Sequence, residues 1–283
     1  MALSLGISPC PNDTYIFSAL IEGRVPVPEY LGTVETHFAD VEELNTLAGE
    51  GRLDVTKLSA SAVAGVLDEY VILNAGGALG RGCGPLLVAS RPLTEKELSG
   101  ASIAVPGALT TANLLLSLHG GFAGPRREMI FDAVMPAVAG GECAAGVIIH
   151  ESRFTYPDHG LHLVLDLGAW WEETTGAPIP LGAIAARRSL GQPALRRIES
   201  LVRESLERAN AHPGEGRACI RTHAREMDEK VMAAHIAMFV NEFSLDLGPE
   251  GRDAVEALVR GAAKVRGIAV SENPMFLDAG GAS

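Results

Sequence analysis

A histidine at the end of an apolar strand pattern is the first residue of this chain whose type and position suit catalysis. His150 comes directly after the uncharged, β-branched run Gly146-Val147-Ile148-Ile149, which predicts a buried strand. Ligands of open α/β sheets bind beyond the carboxyl ends of the strands, so an imidazole there is placed for chemistry. Because imidazole titrates close to neutral pH, His150 is a candidate general base. A histidine that only caps the following turn is the alternative.

Two similar stretches indicate where a binding site would form. Residues 9–14 align without a gap with residues 106–111, and each stretch follows a strand pattern and precedes an apolar helix. A second alignment, with a one-residue gap, pairs the strand that ends at Ser59 with the strand that precedes His150. Chance similarity between short strand–helix units is the alternative to a duplication. If the duplication is real, two lobes present equivalent edges to each other.

These equivalent edges predict an anion site. Helix N-termini at Asp13-Thr14 and at Thr110-Thr111 would offer unpaired backbone N–H groups and positive dipole ends to a shared cleft. The hydroxyls of Thr110 and Thr111 can donate to a carboxylate, and Lys57 can add a full positive charge. The alternative is that both threonines merely cap a helix.

The remaining pattern predicts a two-domain α/β protein. Strands alternate with helices, which is typical of a largely parallel sheet, and at 283 residues the chain exceeds the usual size of one domain. The pattern restarts after residue 90 and returns near residue 181. We therefore expect a discontinuous lobe (1–90 with 181–283) that has a helical C-terminal part, and an inserted lobe (91–180).

Composition excludes several classes of function. The net charge of −12 opposes binding to nucleic acid, and no uncharged run is long enough to span a membrane, so no membrane insertion is expected. The four cysteines lie far apart and form neither a zinc pattern nor a disulfide framework. A strand pattern begins at Leu3 without a signal sequence before it, which predicts a cytoplasmic protein. A small anionic ligand remains possible if local donors hold it.

Other apparent motifs favour ordinary explanations. The glycines of residues 77–84 fit neither a dinucleotide loop nor a phosphate loop, because Pro85 and a strand follow them. His159 and His162 lack further ligands, so no metal site is expected. His212, His223 and His235 fall in the helical last third, where we expect them on exposed polar faces.

The motifs already described carry a family resemblance. SPCPNDT at residues 8–14 and IHESRFTY at residues 149–156, with TKLS at 56–59 and GGALGRG at 76–82, resemble the 1,4-dihydroxy-6-naphthoate synthases of the futalosine route to menaquinone. The resemblance covers about residues 3–270. It implies a two-lobed periplasmic-binding-protein-like fold of type II. It also implies an intracellular lyase that cleaves cyclic dehypoxanthinylfutalosine to 1,4-dihydroxy-6-naphthoate and dihydroxyacetone.

The resemblance also assigns roles to individual positions. His150 matches the proton acceptor of the family, and Lys57-Leu58-Ser59 and Thr110-Thr111 match its two substrate-binding segments. No cofactor is implied, because the cleavage needs no external electron acceptor. Two alternatives stay open: a cytoplasmic binding or sensor module for small anions, and chorismate dehydratase, which shares the fold. The oligomeric state is not determined by the sequence.

Overall fold

A computed structural model describes residues 2–224 and 228–278 of the chain. Up to residue 80 the strands and helices are β1 (Ala2–Ile7), α1 (Pro11–Ile21), β2 (Thr33–Phe38), α2 (Val41–Gly49), β3 (Val55–Ser59), α3 (Ala60–Val63), β4 (Tyr70–Ile72) and β5 (Ala78–Gly80).

The middle of the chain continues the alternation. Its elements are β6 (Leu86–Ala89), α4 (Glu95–Leu98), β7 (Ile103–Val105), α5 (Thr111–His119), β8 (Arg126–Glu128), α6 (Phe131–Ala139), β9 (Ala145–Ile148), α7 (Ser152–Thr155), β10 (His162–Asp166) and α8 (Leu167–Thr175). The pattern of residues 129–131 suggests a strand, but β8 ends at Glu128 and Phe131 begins α6.

The last third is helical after one long strand. Its elements are β11 (Ile179–Arg187), α9 (Gln192–Ala211), α10 (Arg217–His223), α11 (Glu229–Phe239), α12 (Glu242–Leu245) and α13 (Gly248–Arg266). In the part of the chain that the structure describes, no helix is long and apolar enough to cross a membrane.

The strands form two sheets with the same order of pairing. The first has the order β2-β1-β3-β11-β4, with β5 also on β11, and the second has the order β8-β7-β9-β6-β10. In each sheet the first three strands are parallel, and the next two pair antiparallel. This shared topology is what the duplication predicted from residues 9–14 and 106–111 requires. It gives β3, which ends at Ser59, and β9, which ends at Ile148, equivalent places.

The chain crosses between the sheets twice. The first crossing lies in 81–85, between β5 and β6, and the second lies in 167–178, between β10 and β11. The expected boundary at residue 90 is therefore wrong for Leu86–Ala89, because this strand pairs in the second sheet with β9 and β10. The division into one discontinuous lobe and one inserted lobe stays a prediction.

Apolar contacts hold the two halves together. One buried cluster contains Leu58 and Ile72 from the first sheet, Leu87 and Ile103 from the second, and Leu258 from α13. The helix α13 contacts α3, α5 and β11, so it spans both halves. A separate cluster lies between the first sheet and the helices α1 and α9. Because α1 also contacts α11, this packing brings the C-terminal helices to the loop after β1.

The first crossing segment packs closely against the backbone of α8, and a substitution can test this contact. A Cβ added at Gly84 would lie 2.2 Å from the Cα of Gly168, in the first turn of α8. We expect Gly84→Ala to lower the free energy of unfolding by about 1–3 kcal/mol, since a backbone atom cannot move aside as a side-chain end can. Denaturant unfolding followed by circular dichroism measures the loss.

Gly100→Ala is the matched control for this substitution. No described atom lies within 4 Å of the Cβ it would add. Equal stability of Gly84→Ala and Gly100→Ala would contradict the close packing of the first crossing.

Candidate active site

A cleft between the ends of the two sheets collects the predicted site residues. Residues from β3, β5, β11, α1, α5 and α11, and from the segments that follow β1 and β9, line it. The predicted site residues that line this cleft are Asp13, Lys57, Leu58, Ser59, Thr110, Thr111 and His150. The sequence thus predicted which residues would meet, and their roles stay predictions.

A buried ion pair forms one wall of the cleft. The Nζ of Lys57 lies 2.7 Å from the Oδ1 of Asp13, and their side chains are 7% and 1% exposed. The carboxylate of Asp13 also accepts hydrogen bonds from the backbone N–H and hydroxyl of Ser8 and from the amide of Asn12. Four donors therefore satisfy the carboxylate. Asp13 supports Lys57 and is not available as a base.

The N-terminus of α1 differs from the sequence-based expectation. The sequence placed the helix N-terminus at Asp13-Thr14, but Cys10 is the N-cap residue and makes no side-chain capping bond. Helix α1 begins at Pro11, so Asp13 lies within the first turn. Proline at the first helical position explains this start, since its missing N–H costs no helical bond there. The side chain of Asp13 turns back to Ser8 instead of capping.

The ion pair extends to a histidine that sequence reasoning discounted. The Nε2 of His235, on α11, lies 2.9 Å from the Oδ1 of Asn12. His235 was expected on an exposed helix face, but it is 1% exposed and lines the cleft. The helical spacing of its neighbours indicates the buried position. The buried side of α11 consists of Met232, His235 and Phe239, spaced three and four residues apart.

The charge of Asp13 fixes the tautomer of His235. The amide nitrogen of Asn12 donates to Asp13, at 2.9 Å, so its amide oxygen must face His235. The Nε2 of His235 is then the donor, and its Nδ1 carries no proton in the neutral ring. Burial lowers the pKa of His235 well below its usual value, and the positive charges of His150 and Lys57 lower it further. His235 is therefore neutral at neutral pH.

His150 lies opposite, in an unusual backbone conformation. Its φ is +56°, which puts this residue in the left-handed region between β9 and α7. The ring contacts Phe131 edge to face at 4.9 Å and faces His235 at 6.2 Å between centroids. The strand-end position predicted from the sequence is confirmed in geometry. A half-buried imidazole that borders the cleft is accessible to a ligand.

The two threonines are already engaged by the protein. The hydroxyl of Thr110 donates to the carbonyl of Gly107 and accepts from the N–H of Asn113, which is a helix cap. The hydroxyl of Thr111 donates to the carbonyl of Leu181 and accepts from the N–H of Ser61. Neither hydroxyl proton is therefore left for a carboxylate. The donors that remain at this end of α5 are the first-turn backbone N–H groups.

Ser59 keeps a donor for a ligand. Its hydroxyl oxygen accepts from the amide of Asn45 at 3.0 Å, and its backbone N–H donates to the same side chain. A serine hydroxyl accepts and donates at once, so its proton can still point into the cleft. Leu58 contributes a buried apolar wall.

Two further groups border the cleft. Burial raises the pKa of the Cys83 thiol to about 12, so this cysteine is no thiolate nucleophile at neutral pH. Arg153 donates to the carbonyl of Gly84 and pairs with Asp166 at 2.8 Å. Asp166 therefore offsets the positive charge of Arg153, and the hydrogen bond to Gly84 connects α7 to the first crossing. Among the described residues no group of three or more His, Cys, Asp or Glu side chains could hold a metal ion.

The chain resembles known proteins over nearly its whole length. The model of a family described as menaquinone biosynthesis matches residues 3–264. A 1,4-dihydroxy-6-naphthoate synthase of Thermus thermophilus is 54% identical over 280 residues, which are 98% of this chain and 99% of that one. A synthase of the same name from Streptomyces coelicolor is 46% identical over 266 residues, covering 92% and 93% of the two chains.

Solved structures agree with the architecture. A crystal structure of a protein from Archaeoglobus fulgidus has a TM-score of 0.86 at 34% identity, and the match covers 94% of this chain and 98% of that one. The periplasmic aliphatic sulphonate binding protein of Escherichia coli has a TM-score of 0.64 at 13% identity, covering 100% and 95%. The expected fold is confirmed: it is a two-lobed α/β fold of the periplasmic-binding-protein type.

The ion pair of the cleft gives a testable prediction about stability. Asp13→Ala leaves the ammonium of Lys57 buried without its carboxylate, so we expect the free energy of unfolding to fall by about 3–5 kcal/mol. Denaturant unfolding measures the change. Glu250→Ala is the matched control, because Glu250 and Arg81 form an ion pair with side chains 60% and 50% exposed. Its loss should cost about 0–1 kcal/mol. Equal unfolding midpoints for the two variants would contradict a buried pair.

Proposed function

Since this chain belongs to the menaquinone-biosynthesis family, we propose that it is a lyase that converts cyclic dehypoxanthinylfutalosine to 1,4-dihydroxy-6-naphthoate and dihydroxyacetone. It is an enzyme of menaquinone biosynthesis, and the reaction and its base are the proposal. The observation that carries it is that His150 and the expected binding segments line one cleft, in a chain whose near-full-length relatives are named for this product.

The donors of the cleft suit a substrate that carries a carboxylate. Ser59 offers a hydroxyl proton, and the first-turn N–H groups of Thr111 and Ala112 at the start of α5 offer the positive end of a helix dipole. The positive charge of Lys57 lies close by, although Asp13 shares it. These groups hold the carboxylate of the naphthoate portion, which leaves the opposite part of the substrate toward the histidines.

The chemistry assigned to the chain is proton removal by His150. The neutral imidazole takes a carbon-bound proton from the spiro-ring substrate, and ring opening with C–C cleavage releases the three-carbon fragment. Formation of the aromatic bicycle drives the reaction. The substrate is cleaved without net oxidation or reduction, so the proposal includes no cofactor. The protein contributes the position of the base and the electrostatic support of its donors.

Turnover tests the function against its alternatives. Purified protein incubated with cyclic dehypoxanthinylfutalosine should release 1,4-dihydroxy-6-naphthoate and dihydroxyacetone, detected by chromatography with mass spectrometry. A binding or sensor module would bind the compound without changing it. A chorismate dehydratase would consume chorismate instead, and relatives named for the synthase favour the proposed reaction over that one.

Replacing the base should abolish most turnover without unfolding the protein. His150→Asn is the suitable variant, because asparagine tolerates the left-handed conformation that His150 adopts. We expect kcat to fall by about 10²–10⁴-fold, as is usual for loss of a general base, while KM changes little. In the wild type kcat/KM should rise with pH as the imidazole loses its proton.

His162→Asn is the control for this measurement, since His162 is exposed on β10 and lies outside the cleft. It should keep the activity of the wild type. A folded His150→Asn protein with kcat within a few-fold of the wild type would refute the assignment of His150 as the base.

The carboxylate contact of Ser59 predicts a different kinetic change. Ser59→Ala removes one hydrogen bond to a charged group, so KM should rise by about 10- to 150-fold while kcat changes less. Steady-state kinetics measures both constants. Ser61→Ala is the control, because Ser61 is a buried neighbour whose hydrogen bonds to Thr111 and Arg266 are made by its backbone, which alanine keeps. If both serine variants have the KM of the wild type, Ser59 does not bind the carboxylate.

A further inference from the structure

We propose that His235 binds the substrate, as a neutral imidazole in the Nε2–H tautomer whose Nδ1 accepts a hydrogen bond from a hydroxyl group of the substrate. This inference rests on the proposed function and adds a residue that neither the motifs nor the expected binding segments contain. His235 lines the cleft from α11 and is connected to Asp13 and Lys57 through Asn12.

His235 carries a buried hydrogen-bond acceptor that the protein leaves unused. Among the residues that the structure describes, the Nδ1 of His235 has no hydrogen-bond partner, although the side chain is 1% exposed. The Oε2 of Glu151 lies 4.0 Å from it, which is beyond a hydrogen bond in either protonation state. A buried acceptor without a donor is costly, and such groups are uncommon in folded proteins. A donor supplied by the ligand removes this cost.

The surroundings of His235 keep its Nδ1 an acceptor. Asn12, oriented by Asp13, takes the Nε2 proton of His235, so the neutral ring has its lone pair on Nδ1. Protonation of Nδ1 would place a cation in a buried site beside Lys57 and at 6.2 Å from the ring of His150. The chain Lys57–Asp13–Asn12–His235 therefore fixes both the charge and the direction of this group.

The Nδ1 of His235 is chemically complementary to a hydroxyl group of the proposed substrate. An unprotonated ring nitrogen recognises a donor and repels a carboxylate, so His235 cannot belong to the anion site at Ser59. The donors of the proposed substrate are the hydroxyls of its sugar-derived part, from which dihydroxyacetone is released. The cleft then has two ends: donors at Ser59 and α5 for the carboxylate, and an acceptor at His235 for a hydroxyl.

Two isosteric variants separate this role from a structural one. His235→Asn places an amide oxygen near the position of Nδ1, while His235→Gln places an amide group near the position of Nε2 and can keep the bond to Asn12. We expect His235→Gln to lower kcat/KM by about 5- to 150-fold, mainly through a higher KM, because the substrate hydroxyl loses its acceptor. We expect His235→Asn to retain most of kcat/KM, although its unfolding midpoint falls.

His212→Gln is the matched control, since His212 is exposed at the end of α9 and lies outside the cleft. It should have the kinetics of the wild type. The opposite ranking, with His235→Gln active and His235→Asn inactive, would mean that only the bond to Asn12 matters and would overturn the inference. Wild-type kinetics in both variants would also overturn it and leave the proposed function intact. No turnover by the wild type would refute the proposed function, and this inference with it.

The tautomer can be measured without any variant. In ¹⁵N-labelled wild type, His235 is the imidazole that stays neutral when the exposed histidines are protonated, because burial lowers its pKa. Its nitrogen chemical shifts should show a protonated Nε2 and an unprotonated Nδ1, and saturating 1,4-dihydroxy-6-naphthoate with dihydroxyacetone should shift the Nδ1 signal. A protonated Nδ1, or an Nδ1 signal unmoved by these products, would overturn the inference even if both variants fail to fold.

Discussion

The buried pair of Lys57 and Asp13 is the constraint on which the cleft depends. Removing two charges from water costs several kcal/mol each, and the loss is recovered only if further hydrogen bonds satisfy both groups. Asp13 obtains these bonds from Ser8 and Asn12, which fixes the loop after β1 and the first turn of α1. Asn12 in turn binds His235. One charge on β3 thereby orders a loop, a helix start and a helix from the last third of the chain.

This pair also bears on the anion binding that we propose for the cleft. Lys57 is paired with Asp13 and Arg153 with Asp166, so neither of these two basic side chains of the described cleft is an isolated cation. A chain with a net charge of −12 repels anions at long range, so short-range donors must supply the binding energy. Ser59 and the start of α5 are such donors. Recognition by oriented dipoles, which do not need to reorganise when the substrate arrives, is the arrangement that also supports charge development during a reaction.

Sequence reasoning found the site through local regularities and failed where a partner decides the outcome. Strand ends, helix starts and the repeat depend on residues near each other in the chain, so His150 and Ser59 were placed correctly. Donor and acceptor types are also visible in a sequence, but their partners are not. In the sequence the hydroxyls of Thr110 and Thr111 are possible donors to a ligand. In the structure they donate to the carbonyls of Gly107 and Leu181 instead.

The position of His235 likewise depends on a contact that the sequence does not show. The spacing of Met232, His235 and Phe239 placed the histidine on the buried face of α11, and this pattern was readable. What the pattern did not contain is the contact of α11 with α1, which turns that buried face toward the cleft. The environments of His150 and His235 therefore give two chemically identical side chains different properties. His150 is half-buried, whereas His235 is fully buried, and its burial and the neighbouring charges keep it neutral. In the proposed reaction His150 takes the proton from the substrate, and the Nδ1 of His235 only accepts a hydrogen bond.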